Sequence, residues 1–105
     1  MFTIGLMMKL RLGCYPEYKK AHDNLWPDIA KSMSDNNVSM EIFLYKDQLI
    51  LHATSPTEAA WTLSRQAPAL ERWHAYMVTL LQVDENGRLI AEELEKAFTF
   101  GNFKD

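Results

Sequence analysis

Three runs with a two-residue hydrophobic period limit what this chain can fold into. Phe2, Ile4, Leu6, Met8, Leu10 and Leu12 alternate with Thr3, Gly5, Met7, Lys9 and Arg11. Val38, Met40, Ile42 and Leu44 alternate with Ser39, Glu41, Phe43 and Tyr45, and Leu49, Leu51 and Ala53 alternate with Ile50, His52 and Thr54. Successive side chains of a strand point to opposite faces, so each run predicts a strand with one buried face. Only the polar Lys46-Asp47 turn separates the second run from the third, which makes them an antiparallel hairpin.

The segments between these runs carry helical spacing. Gly13 breaks the first strand, and Pro16 fits the opening turn of a helix, where its missing N–H is not needed. That helix is expected to reach about Met33, with a kink or restart at Pro27, before the polar 34–37 stretch ends it. Ser55-Pro56-Thr57-Glu58 has the form of a capping box with proline at the first helical position. The helix it opens has Ala59, Ala60, Leu63 and Ala67 as an apolar face with Trp61 on another side, and stops or turns at Pro68. Leu70, Trp73, Met77, Leu80 and Leu81 restore the period up to the turn at Asp84-Glu85-Asn86-Gly87. An acidic, partly helical approach through Glu92, Glu93 and Glu95 leads to a last strand containing Leu94, Ala97, Phe98, Thr99, Phe100 and Phe103. Strand, helix, strand, strand, helices, strand is the order of a ferredoxin-like βαββαβ α+β domain with an antiparallel sheet. Helices cover one sheet face, and a second copy is expected over the other.

With 105 residues and 48% hydrophobic composition the chain is expected to form a single domain over residues 1–105. A net charge of −3 with both signs interspersed provides neither a basic stripe for nucleic acid nor a polybasic membrane patch. Cys14 stands alone, so no internal disulfide can form, and a reducing compartment is expected. The N-terminus alternates as a strand rather than showing a basic leader and an apolar block, and no run reaches membrane-spanning length. A soluble cytoplasmic protein is therefore expected. His22, His52 and His74 lack metal-ligand spacing, the 4 glycines form no phosphate-binding loop, and His52 reads as a solvent-edge or cross-strand residue. No metal or organic cofactor is expected.

The chemistry concentrates in Glu17 to Pro27, EYKKAHDNLWP. Tyr18, His22 and Trp26 fall at four-residue intervals, on one side of a helix, and Leu25, Ile29 and Met33 prolong the stripe. Taken alone this is an ordinary buried face with tolerated polar tips. As a site it offers an imidazole able to carry or release a proton near neutrality, a phenol to orient a polar ligand and an indole wall. Arg72, Trp73, His74 and Tyr76 form a second polar and aromatic cluster; core packing explains Trp73 by itself, but a sugar site uses the same combination.

EYKKAHDNLWPDI, EIFLYKDQLILHA, ERWHAYM and LEKAFTF, in that order, resemble the L-rhamnose mutarotase family over most of the chain. The resemblance implies a homodimeric α/β barrel of two ferredoxin-like subunits that interconverts the α and β anomers of L-rhamnose or a related monosaccharide without a cofactor. It assigns His22 as proton donor, Tyr18 as a second catalytic and sugar-contacting group, and Trp73 and His74 as the counterpart of the family's tryptophan pair. Met40 takes the place of a sugar-contacting strand tyrosine. His74 for the second tryptophan and Met40 for the tyrosine are the two departures, and a different deoxysugar or aldose is compatible with them. Trp26, beside the proline break, is expected to pack and fix the Tyr18–His22 pair. Two other readings accommodate the departures: a non-catalytic dimer that binds a small polar ligand, and a cofactor-free monooxygenase on the same barrel.

Overall fold

The computed structural model describes residues 1–103. Its strands are β1 (Phe2–Lys9), β2 (Ser39–Tyr45), β3 (Gln48–Ser55) and β4 (Glu92–Glu93), and its helices α1 (Tyr15–Asp23), α2 (Pro27–Asp35), α3 (Glu58–Ser64) and α4 (Pro68–Met77). They form one antiparallel sheet in the order β2-β3-β1-β4, the ferredoxin-like arrangement. β1 lies along all of β3, from Phe2 opposite Ser55 to Lys9 opposite Gln48. This register puts Ile4, Leu6 and Met8 on the same face as Ala53, Leu51 and Leu49, and the hairpin adds Met40 and Ile42 to it. The helices pack on that face. Leu49, Leu51, Ala53 and Met8 are buried there with Ile29, Trp73, Met77, Leu80 and Leu81, each large side chain contributing about 1.5–3 kcal/mol relative to exposure. None of the helices among the described residues is long and apolar enough to cross a membrane.

Pro27 does more than kink one helix. Its ring forces Trp26 to φ −59°, ψ 134°, out of helical geometry, so α1 ends at Asp23 and α2 restarts with the proline in its first turn. Pro68 acts the same way, opening α4 after an extended Ala67.

Four local expectations are corrected. First, strand pairing of β1 stops at Lys9; Leu10 makes only an isolated bridge to Leu81, and Leu12 is 103% exposed beside Gly13 at φ +75°. Second, Ser55 remains in β3 and its hydroxyl donates to the Thr57 carbonyl, so the cap falls to Thr57, whose Oγ1 accepts the Ala60 N–H at 3.1 Å. Pro56 consequently lies outside the helix. Third, α3 turns Ser64 and part of Trp61 inward and leaves Leu63 exposed, because Trp61 packs near Phe2 and the Ser64 carbonyl accepts from Ser32 Oγ.

The fourth correction is the last strand. The phenylalanine-rich end has strand propensity but no sheet face to pack on: Phe98 and Phe100 are 83% and 79% exposed, and residues 94–100 lie outside regular structure. Instead Glu92 and Glu93, poor strand formers, are delivered to the free edge of β1 and pair with Met7 and Leu6. The Leu94 N–H continues this edge by donating to the Gly5 carbonyl at 2.8 Å. Beyond it a 3-10 turn spans Gly101–Phe103, where Phe103 meets His52 edge-on at 5.4 Å. This places His52 on the sheet face opposite the helices.

Candidate active site between the helices and the sheet

A cavity of about 890 Å³ separates α1, α2 and α4 from the sheet. Apolar β-sheet side chains, Met8, Leu49 and Leu51 among them, supply its floor. Tyr18, His22, Trp73, His74 and Met40, the residues singled out in the sequence, all line this one space.

The α1 spacing stacks Tyr18 and His22 with ring centroids 4.1 Å apart. Trp73 comes from α4 and meets the imidazole edge-on at 5.1 Å. The break before Pro27 turns Trp26 onto Trp73, also at 5.1 Å and nearly perpendicular, and lays it parallel to Tyr76 at 6.2 Å. Trp26 therefore braces the cluster from behind and is absent from the cavity lining. Trp73 is only 9% exposed, so little of its indole is open to the cavity. Met40 sits half-buried on the inner face of β2, opposite Ala53, and His74 is exposed where α4 borders the cavity.

His22 Nδ1 lies 2.9 Å from the Tyr18 carbonyl oxygen. A carbonyl accepts and never donates, so Nδ1 carries a hydrogen and Nε2 is the nitrogen that gains or loses a proton. Burial pushes the His22 pKa below its ordinary value of 6.5, opposed by the Tyr18 carbonyl and the Asp23 charge, with Lys19 reinforcing the decrease. Burial also raises the Tyr18 phenol well above its ordinary value, so it remains a neutral hydroxyl near neutrality.

The lowered His22 pKa has a stability consequence. Above the unfolded value of 6.5 the imidazole is neutral in both states. As pH falls through 6.5 toward the lower folded value, the unfolded chain binds the proton first, and folding free energy is lost. In paired thermal melts, the advantage of the unliganded protein over His22→Gln is expected to shrink between pH 7.5 and the folded value. A constant difference across that range would remove His22 from the titration.

Two contacts were not legible in the sequence. The Tyr76 hydroxyl donates to Glu17 Oε1 at 3.1 Å, tying α4 to α1. Arg65, at the end of α3, also reaches the cavity. Pairings between separate helices leave no periodic signal, and a lone arginine in a chain reads as solvated. Among the described residues no three His, Cys, Asp or Glu side chains are gathered where they would hold a metal ion.

The family model described as L-rhamnose mutarotase matches residues 3–100. An L-rhamnose mutarotase of Clostridium beijerinckii is 31% identical over 101 residues, spanning 93% of this chain and 97% of its own length. One from Burkholderia orbicola is 33% identical with the same coverage. The crystal structure of an L-rhamnose mutarotase from Formosa agariphila superposes with a TM-score of 0.79 at 25% identity, covering 96% of this chain and all of the other.

Proposed function

This chain belongs to the L-rhamnose mutarotase family, and from that premise we propose that it interconverts the α and β anomers of L-rhamnose or a closely related aldose. The observation that carries the reading is the pairing of Tyr18 and His22 beside Trp73 on one cavity, with the histidine tautomer already set by the Tyr18 carbonyl.

As imidazolium, His22 gives its Nε2 proton to the ring oxygen while the anomeric hydroxyl loses its own proton. The bond between C1 and the ring oxygen breaks, and C1 becomes an aldehyde. Rotation about the C1–C2 bond presents its other face, and the ring oxygen attacks as its proton returns to Nε2. Tyr18, kept neutral, orients a hydroxyl and relays a proton; His74, at the cavity border, receives the anomeric proton and returns it. Trp73 walls the sugar and holds the imidazole plane, while Met40 gives an apolar contact suited to a methyl or C–H face. No step calls for a metal or organic cofactor.

The functional unit we propose is a homodimer closed through the sheet face opposite the helices, where Phe43 and Tyr45 are 54% and 59% exposed. Sedimentation at the mass of one chain would oppose this. A lone cysteine suits a cytoplasmic location, which cell fractionation tests. The activity itself is tested by NMR saturation transfer between the anomers of L-rhamnose, L-fucose and common aldoses. Faster exchange for at least one sugar is expected. Ligand-induced shifts without faster exchange would establish a binding protein instead.

A further inference from the structure

One cation lining the cavity, Arg65, has no ion-pair partner among the described residues. Arg65 follows α3, where the free helix carbonyls favour a positive charge. Its guanidinium lies over the Trp61 ring, with the central carbon 5.0 Å from the ring centroid. Among the described residues no oxygen accepts from its Nε, which is cut off from solvent. Lysines 19 and 31 have partners in Asp23 and Asp35, but no carboxylate among the described residues forms an ion pair with Arg65. A half-buried guanidinium with one donor unsatisfied is costly, and such a group usually finds an anion. Arg65 also lines the 890 Å³ cavity shared by Tyr18, His22 and Met40, so an oxyanion entering there meets a cation that no carboxylate among the described residues pairs with.

We propose that Arg65 is a specificity-determining residue that directs this chain toward aldoses bearing a carboxylate, the uronic acids, in the same cavity; the inference rests on the mutarotase reading above. A carboxylate at C6 of a pyranose is remote from C1, so its contact with Arg65 leaves the ring oxygen and anomeric hydroxyl free for His22 and its partners. Guanidinium and carboxylate form parallel charge-assisted hydrogen bonds, a geometry that a neutral hydroxymethyl or methyl group does not reproduce. Asp23, Glu41 and Glu71 also border the cavity, but all three are exposed and water screens them, whereas Arg65 is half-buried with its Nε cut off from solvent. Burial lowers the arginine pKa without removing its charge at neutral pH.

The test compares anomer exchange of D-galacturonate with that of D-galactose, which differs from it only at C6, and of L-rhamnose. The wild-type protein is expected to favour galacturonate over galactose by about tenfold or more. In Arg65→Leu the ratio of galacturonate to L-rhamnose rates falls about tenfold, and Arg65→Lys restores part of it because a point charge remains. The L-rhamnose rate within each variant reports that the fold and proton-transfer groups survive. Exchange of L-rhamnose without exchange of galacturonate, or an unchanged ratio in Arg65→Leu, overturns the inference while leaving the mutarotase reading intact. Absence of exchange with every sugar removes both.

Discussion

Replacing His22 by alanine is expected to lower kcat for anomer exchange about 10²–10⁴-fold, the usual contribution of a positioned acid or base, with circular dichroism unchanged. The fold tolerates the change because His22 is half-buried and its polar contact is to a carbonyl of its own helix. Nothing distant is left unpaired. The pH profile supplies an independent check. Burial holds the His22 pKa below its ordinary value, so the imidazolium proposed to open the ring is a minority species at pH 7. Its share grows on acidification, and kcat/KM is expected to rise as pH falls toward the depressed pKa, the range in which stability declines. Full activity in His22→Ala, or a profile identical to wild type, would assign proton transfer to another group.

Trp73→Ala carries the largest structural penalty. The indole is buried and touches His22, Trp26 and Tyr76 edge-on, at 5.1, 5.1 and 6.1 Å, so its removal opens a void that these three rings, one of them on α4 itself, cannot fill. Loss of a buried tryptophan costs about 3–5 kcal/mol, a large fraction of the roughly 5–15 kcal/mol that holds a domain together. At fixed protein concentration the thermal midpoint is expected to fall by on the order of 15–30 °C. Trp73→Phe keeps most of the volume and is expected to lose less than half as much while slowing anomer exchange through a looser imidazole. A midpoint within a few degrees of wild type in Trp73→Ala would show that the cluster collapses around the gap.

The strands and the Tyr18–His22 pair were readable because one local period determines each of them. Alternation assigned the inner face of β1, β2 and β3, and their register keeps that face continuous. Four-residue spacing over an unbroken α1 set the phenol beside the imidazole. Legibility ended where tertiary supply replaced local preference. Glu92 and Glu93 form a strand because β1 has a free edge, while Phe98 and Phe100, better strand formers, find no surface to cover. The cap moved from Ser55 to Thr57 because the sheet claimed the serine. Arg65 carries no signal in the sequence, because nothing in Ser64-Arg65-Gln66 marks a half-buried cation whose Nε is cut off from solvent.

The Tyr18 carbonyl that holds His22 belongs to the preceding turn of the same helix. The imidazole is thus oriented when α1 forms, before any sugar arrives, and after each event the free enzyme needs no rearrangement of its tautomer. In the proposed mechanism, whichever anomer leaves, the same nitrogen is again ready to exchange a proton. For a reaction whose two directions are chemically alike, the catalyst keeps no memory of its last product, and both anomers meet an identical starting state.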